Sequence, residues 1–193
     1  MKPAQITKVA VFCGSATGNN HTIIQDCLDL ARVMCDHNIT LIYGGGNVGL
    51  MGVLADEILR LEGEVIGVIP EKLVGIEVAH QGLTQLHIVK GMHERKALMA
   101  SMADAFIVLP GGIGTMEEFF EIYTWLQLGY HDKPIALLNI DGFYDTLIAF
   151  LEHLADQQFV RRNHIEKLIV ETNSADLVQR VLNSAPQYAG ETS

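Results

Sequence analysis

The sequence contains no apolar run approaching ~18 residues, the length a membrane-spanning helix needs, so no membrane span is expected. It also has no excess of positive charge. Thirteen Lys and Arg stand against 23 Asp and Glu, for a formal net charge of −10. Such a chain repels a phosphodiester backbone, so binding to nucleic acid, single-stranded DNA included, is not expected. A small anion held by a few local cations is still compatible with that charge. Cysteine is sparse: Cys13, Cys27 and Cys35 are odd in number and form no Cys-x-x-Cys pair. They read as reduced packing thiols rather than as a disulfide framework. No secretory leader is visible, because the N-terminus passes directly into the strand-like run Val9-Ala10-Val11-Phe12. The expected location is cytoplasmic.

Other absences narrow the chemistry. The eight histidines include no His-Glu-x-x-His spacing, so no metal site is expected. No Gly-x-Ser-x-Gly elbow offers a hydrolase nucleophile. No glycine loop ends in Gly-Lys-Ser/Thr, so a magnesium–triphosphate site is unsupported.

What is present is enough for one core. The chain has 193 residues, 49% of them hydrophobic, and reads as a single domain over 1–183. Residues 184–193, with Pro, Gly and polar side chains, read as a flexible tail. Strand-like and helix-like segments alternate throughout. Strands are expected at 8–13, 40–43, 64–69, 86–89, 105–109, 134–139 and 167–170. Helices are expected at 22–37, 50–61, 92–102, 115–128, 143–155 and 175–182, and 71–85 reads as an irregular excursion. Gly63 suits the cap after the second helix. Runs such as Ile107-Val108-Leu109 and Ile135-Ala136-Leu137-Leu138 are apolar throughout, as strands buried on both faces are. The expected fold is α/β, Rossmann-like and doubly wound, with a mainly parallel sheet and helices on both faces.

In such sheets ligands lie outside the carboxyl ends of the strands. Three loops fall there: Cys13-Gly14-Ser15, residues 44–49 and residues 110–115. Residues 109–118, Leu-Pro-Gly-Gly-Ile-Gly-Thr-Met-Glu-Glu, are the most informative stretch. A strand, a glycine loop and a helix in that order present backbone N–H groups and a helix N-terminus to an anion, usually phosphate. Thr115 is expected to open the helix. Thr115 and Glu118 match a capping box, so Glu118 is either a cap or a functional carboxylate. Residues 44–49 contain Gly-x-Gly-x-x-Gly as Gly44, Gly46 and Gly49. A dinucleotide fingerprint is disfavoured, because the loop follows the second strand and no acidic ribose ligand closes the next one. A mononucleotide pocket wall or tight strand–helix packing remains. Arg95 and Lys96, near the start of a helix, are the best-placed local cations, or else a solvated helix start. Ser15 is a candidate hydrogen-bond donor to a ligand. Met92, Met99 and Met102 read as core.

Together these segments resemble the LONELY GUY family of nucleoside 5′-monophosphate phosphoribohydrolases. The pattern Pro-Gly-Gly-x-Gly-Thr-x-x-Glu stands at 110–118, and Gly-Gly-Gly-x-x-Gly-Leu-Met-Gly at 44–52. Met-His-x-Arg-Lys stands at 92–96. Val11-Phe12-Cys13-Gly14-Ser15 and Trp125-x-Gln127-Leu128-Gly129-x-His131-x-Lys133-Pro134 also look like family segments. Position 113 is Ile, where Tyr or Leu is often expected, and its backbone should matter more than its side chain. An older label for such proteins is possible lysine decarboxylase, and no residue pattern here supports that activity.

The resemblance implies hydrolysis of an N-glycosidic bond, releasing free base and ribose 5-phosphate from AMP or an N6-modified cytokinin ribotide. It implies Arg95 and Glu118 as the catalytic pair. It implies substrate contact by Glu77, Arg95, Lys96, Gly112, Ile113, Gly114, Thr115, Met116, Glu117, Glu118 and Thr124. Ser15, Gly45 and Gly111 are added from the loops themselves. It implies no cofactor and no metal, and a homodimer with the pocket near the subunit boundary. A non-catalytic carrier or sensor of a nucleotide or phosphorylated cofactor is the alternative on the same fold.

Overall fold

A computed structural model of the chain describes residues 5–76 and 78–184. The tail expected after Ser184, and Glu77, lie outside the described residues. The chain alternates as β1 (Lys8–Phe12), α1 (His21–Asp36), β2 (Thr40–Tyr43), α2 (Gly49–Arg60), β3 (Val65–Pro70) and β4 (Gln85–Val89). It continues as α3 (Met92–Met102), β5 (Ala105–Val108), α4 (Ile113–Leu128), β6 (Ile135–Leu138), α5 (Asp145–Asp156), α6 (Arg162–Ile165), β7 (Ile169–Glu171) and α7 (Ser174–Asn183).

The seven described strands form one sheet in the order β4-β3-β2-β1-β5-β6-β7, and every strand pair is parallel. The apolar strands explain this arrangement, since both faces are covered. Along β1, Val9 and Val11 face α1, α2 and α7, while Ala10 and Phe12 face α3, α4 and α5. The same alternation puts Ile107 and Leu109 on the first side and Phe106 and Val108 on the second. Leu54 and Ile58 of α2 are fully buried. Withdrawing each such side chain from water contributes roughly 1.5–3 kcal/mol.

The chain winds outward from β1 to β4, then α3 carries it back so that β5 lies against β1. The strand order therefore reverses between β1 and β5, and the crevice of a doubly wound sheet opens there. Hydrogen bonds hold the two loop entrances together beyond the strands. Leu109 N donates to Phe12 O at 2.9 Å, and Gly14 N donates to Pro110 O at 3.1 Å. The buried Tyr144 hydroxyl donates to Leu109 O at 2.6 Å, tying the entry of α5 to the same point.

Three local expectations are corrected. The fourth long helix begins at Ile113 rather than Thr115, with Gly112 as its N-cap and no side-chain cap hydrogen bond. Thr115 thus lies inside the first turn, and the capping box with Glu118 does not form. After α2, Glu62 rather than Gly63 takes the left-handed turn, with φ 61°. The four-residue α6 was not expected. The excursion after β3 forms a single 3₁₀ turn at Glu71–Leu73. It is pinned to the loop after β2 by an antiparallel bridge between Gly46 and Ala79.

Candidate functional site

The site is built from loops that the topology gathers at the carboxyl end of the sheet. Gly111 packs so closely that a Cβ there would overlap Thr115 Oγ1 and come within 2.9 Å of Gly14 N. Glycine at 111 thus lets the β1 and β5 loops touch. The first i→i−4 bond of α4 runs from Met116 N to Gly112 O. The N–H groups of Ile113, Gly114 and Thr115 precede it and point out of the helix start. A Cβ at Gly112 or Gly114 would meet no atom of the chain within 4 Å. Bare backbone N–H groups and the positive end of the helix dipole are therefore open to an anion.

Arg95 reaches this end of the sheet from the first turn of α3. It is only 4% exposed, and its guanidinium lies against Gly44, where a Cβ would overlap Nη2. That contact gives the Gly-Gly-Gly loop after β2 a concrete purpose, since it clears the path of an arginine. Arg95 Nη1 also lies 3.8 Å from Met92 Sδ.

A cavity of about 220 Å³ brings the parts together. Its wall contains Ser15, Arg95, Gly112, Ile113, Gly114, Thr115, Glu117 and Glu118, with Cys13, Met51, Leu73 and Met92 completing it. An adjoining cavity of about 280 Å³ shares Ser15 and Gly112 and includes Gly111. Cys13 is buried in the wall. Burial pushes its thiol well above the usual range; Cys27 and Glu118 add to the rise, and Arg95 opposes it. Cys13 is therefore a neutral thiol rather than a nucleophile.

Four expected contact residues lie elsewhere. Gly45, at φ 78°, faces β3 and β4, where a Cβ would crowd Ile69, Val68 and Leu86, and its carbonyl accepts from His80 N at 3.0 Å. Met116 packs into the core beneath α4. Thr124 is two turns further along α4, exposed, with its hydroxyl donating to Phe120 O at 2.7 Å. Lys96 is 8% exposed and points across to α4, where Nζ lies 2.5 Å from Glu117 Oε1 and 3.0 Å from Glu121 Oε1. Burial pulls the ammonium pKa down, but the two carboxylate bonds outweigh it and leave it raised.

Of the wall residues that sequence reasoning missed, Met92 was read as core but is 42% exposed at the cavity. Met99 and Met102 do pack in the core. Met51 follows the last loop glycine into α2, a position that could have flagged it. Leu73 lies in the aperiodic excursion and carried no signal. Among the described residues, no group of three or more His, Cys, Asp or Glu is placed to hold a metal ion. No helix among them is long and apolar enough to cross a membrane.

Fold and site together define a Rossmann-like α/β protein that presents a helix N-terminus beside a carboxylate and a guanidinium. The likeness to known proteins is more specific. The family model described as "Possible lysine decarboxylase" matches residues 51–181. A cytokinin riboside 5′-monophosphate phosphoribohydrolase of Rhodococcoides fascians is 48% identical over 163 residues, covering 84% of this chain and 82% of that protein. The cytokinin riboside 5′-monophosphate phosphoribohydrolase LOG of Oryza sativa subsp. japonica is 40% identical over 185 residues, 96% of this chain and 76% of that one. The chain belongs to this family, the LONELY GUY family of phosphoribohydrolases. Among solved structures, a molybdenum cofactor carrier protein from Chlamydomonas reinhardtii aligns with a TM-score of 0.69 at 17% identity, over 93% of this chain and 98% of that chain. At that identity the likeness concerns the fold alone.

Proposed function

We propose that this chain hydrolyses the N-glycosidic bond of a nucleoside 5′-monophosphate, AMP or an N6-modified cytokinin ribotide, giving free base and ribose 5-phosphate. One observation carries the reading: the open N-terminus of α4, Arg95 and Glu118 line the same cavity. Relatives over most of the chain bear the phosphoribohydrolase name.

In this reading the 5′-phosphate accepts hydrogen bonds from the N–H groups at the start of α4 and from the Ser15 hydroxyl. Gly111, Gly112, Ile113, Gly114 and Thr115 shape that cradle. The ribose then lies beside Glu118. As the C1′–N bond breaks, its electron pair leaves with the base and positive charge develops on C1′ and O4′. The Glu118 carboxylate stabilises that charge and accepts a proton from the water that adds to C1′. The base takes up a proton from solvent water as it leaves, and Glu118 returns the proton it accepted to solvent. The Arg95 guanidinium donates hydrogen bonds to the departing base or to the sugar phosphate. Preorganised electrostatics and general base catalysis each contribute ~10²-fold or more.

The test is release of free adenine from AMP by the purified chain, with adenosine as control. Release from AMP and not from adenosine supports the reading. Tight AMP binding without release would instead make the chain a carrier of nucleotides.

We infer a homodimer in the cytoplasm. An apolar groove of about 580 Å³, lined by Ala97, Ala100, Ser101, Trp125, Tyr130, His131 and Lys133, runs between α3 and the end of α4. Tyr130 is 77% exposed and Leu128 66% exposed nearby. A second copy over this face would cover them. Light scattering at micromolar concentration should return twice the 21.2 kDa chain mass, and the single mass would contradict the dimer.

A further inference from the structure

Neighbouring residues on two helices divide their work. On α3, Arg95 lines the cavity while Lys96 turns to α4. On α4, Glu118 lines the cavity; Glu117, also in its wall, and Glu121, one helical turn on along the same face, meet Lys96. The Lys96 ammonium is therefore held by two carboxylates on the helix opposite its own. Glu117 stands at the cavity rim, with its side chain 52% exposed, and Glu121 is deeper at 23%. The second oxygen of Glu121 is buried with no hydrogen-bond partner. Lys96 compensates that buried charge, so the pairing is demanding as well as close.

Resting on the reading of Arg95 and Glu118 as the reacting pair, the geometry points to Lys96 as a positioning residue. It fixes α3 against α4 through Glu117 and Glu121 and does not bind substrate. Lys96 and Glu117 each share a peptide bond with a reacting residue, so the Lys96–Glu117 pair sets the spacing between Arg95 and Glu118. A misplacement of about 1 Å at reacting groups can cost ~10²-fold in rate. The donor geometry fits this role. The ammonium already gives two of its three N–H donors to carboxylates, and two negative charges more than balance its one positive charge.

The test compares full-length wild type with Lys96→Met, Lys96→Arg, Glu121→Gln and the double variant Lys96→Met/Glu121→Gln. Steady-state kinetics on AMP and thermal unfolding are measured on each. Lys96→Met is expected to lose about 10-fold or more in kcat with KM changed by less than about 3-fold. Lys96→Arg recovers most of that loss. Glu121 acts through Lys96, so the double variant is no slower than Lys96→Met, and it melts higher because the stranded buried carboxylate is gone. A tenfold rise in KM at unchanged kcat for Lys96→Met, multiplying independently with Glu121→Gln, would make Lys96 a substrate ligand and overturn the proposal. If wild type releases no ribose 5-phosphate, the hydrolase reading fails on its own terms. The unfolding data then decide the strut, and additive shifts in melting temperature for Lys96→Met, Glu121→Gln and their double variant would sink it.

Discussion

Glu118→Gln is expected to lose at least ~10²-fold of turnover and to keep its affinity for AMP. Gln is nearly isosteric with Glu, keeps a hydrogen-bonding head and removes only the negative charge and the proton acceptor. The loss therefore isolates the chemical step. The position makes the expectation sharp. With α4 starting at Ile113, Glu118 lies beyond the first turn. Its carboxylate lies on the cavity wall with Arg95. An anion at the helix start makes no use of the charge on Glu118, so AMP binding measured by calorimetry should hold within a few-fold. Turnover at the wild-type rate would remove Glu118 from the mechanism. A parallel collapse of binding would assign it to substrate grip instead.

The second large effect concerns Gly49, the last glycine of the loop after β2. Its φ is 56°, and a Cβ there would overlap the carbonyl carbon of Ser15 and the nitrogen of Ala16. Those are backbone atoms, and they cannot swing aside as a side chain can. They are also tied down, because Leu50 N donates to Gly14 O at 3.0 Å. A left-handed φ costs a non-glycine residue roughly 1–2 kcal/mol, and overpacking adds about 1–3 kcal/mol. Gly49→Ala should therefore destabilise the chain by about 3 kcal/mol, which lowers the melting temperature by roughly 6–12 °C at this size. Because Ser15 lies on the cavity wall, the surviving folded fraction should also show a raised KM for AMP. Gly114→Ala is the contrast for stability. A Cβ there meets no atom of the chain within 4 Å and the site is helical, so its melting temperature should stay level or rise slightly. Equal melting temperatures for wild type and Gly49→Ala would show that the β1 loop gives way, and that the close approach is not needed.

Particular residues show how much of this was legible beforehand. The strands were readable because burial on both faces leaves runs such as Ile135-Ala136-Leu137-Leu138 with no polar interruption. The parallel sheet and the gathering of glycine loops at its carboxyl ends followed from the alternation of elements. The start of α4 was not readable. Gly112, Ile113 and Gly114 have poor local helix preference, and the helix is entered without any side-chain cap. A Ser or Asp at the cap would place its own oxygen on the N–H groups that an anion needs. The local rule thus fails at the point where binding is proposed.

Arg95 and Lys96 were singled out together, but their separation into cavity wall and strut depends on residues distant in sequence. Arg95 lies over Gly44, and Lys96 meets Glu117 and Glu121. Pairings at such sequence distances leave no local periodicity to read. Cys13 is an intermediate case. It was expected to be a packing thiol and is buried, yet it also contributes to the cavity wall beside Glu118 and Arg95.

The most direct measurement is chromatography of the purified chain after incubation with AMP, an N6-isopentenyladenine ribotide and the two matching unphosphorylated ribosides. Free base and ribose 5-phosphate in equal amounts from the monophosphates alone is the predicted result, and the better of the two substrates names the preferred base. Free base from the ribosides at the same rate would contradict the account, because the open start of α4 would then hold no phosphate during the reaction.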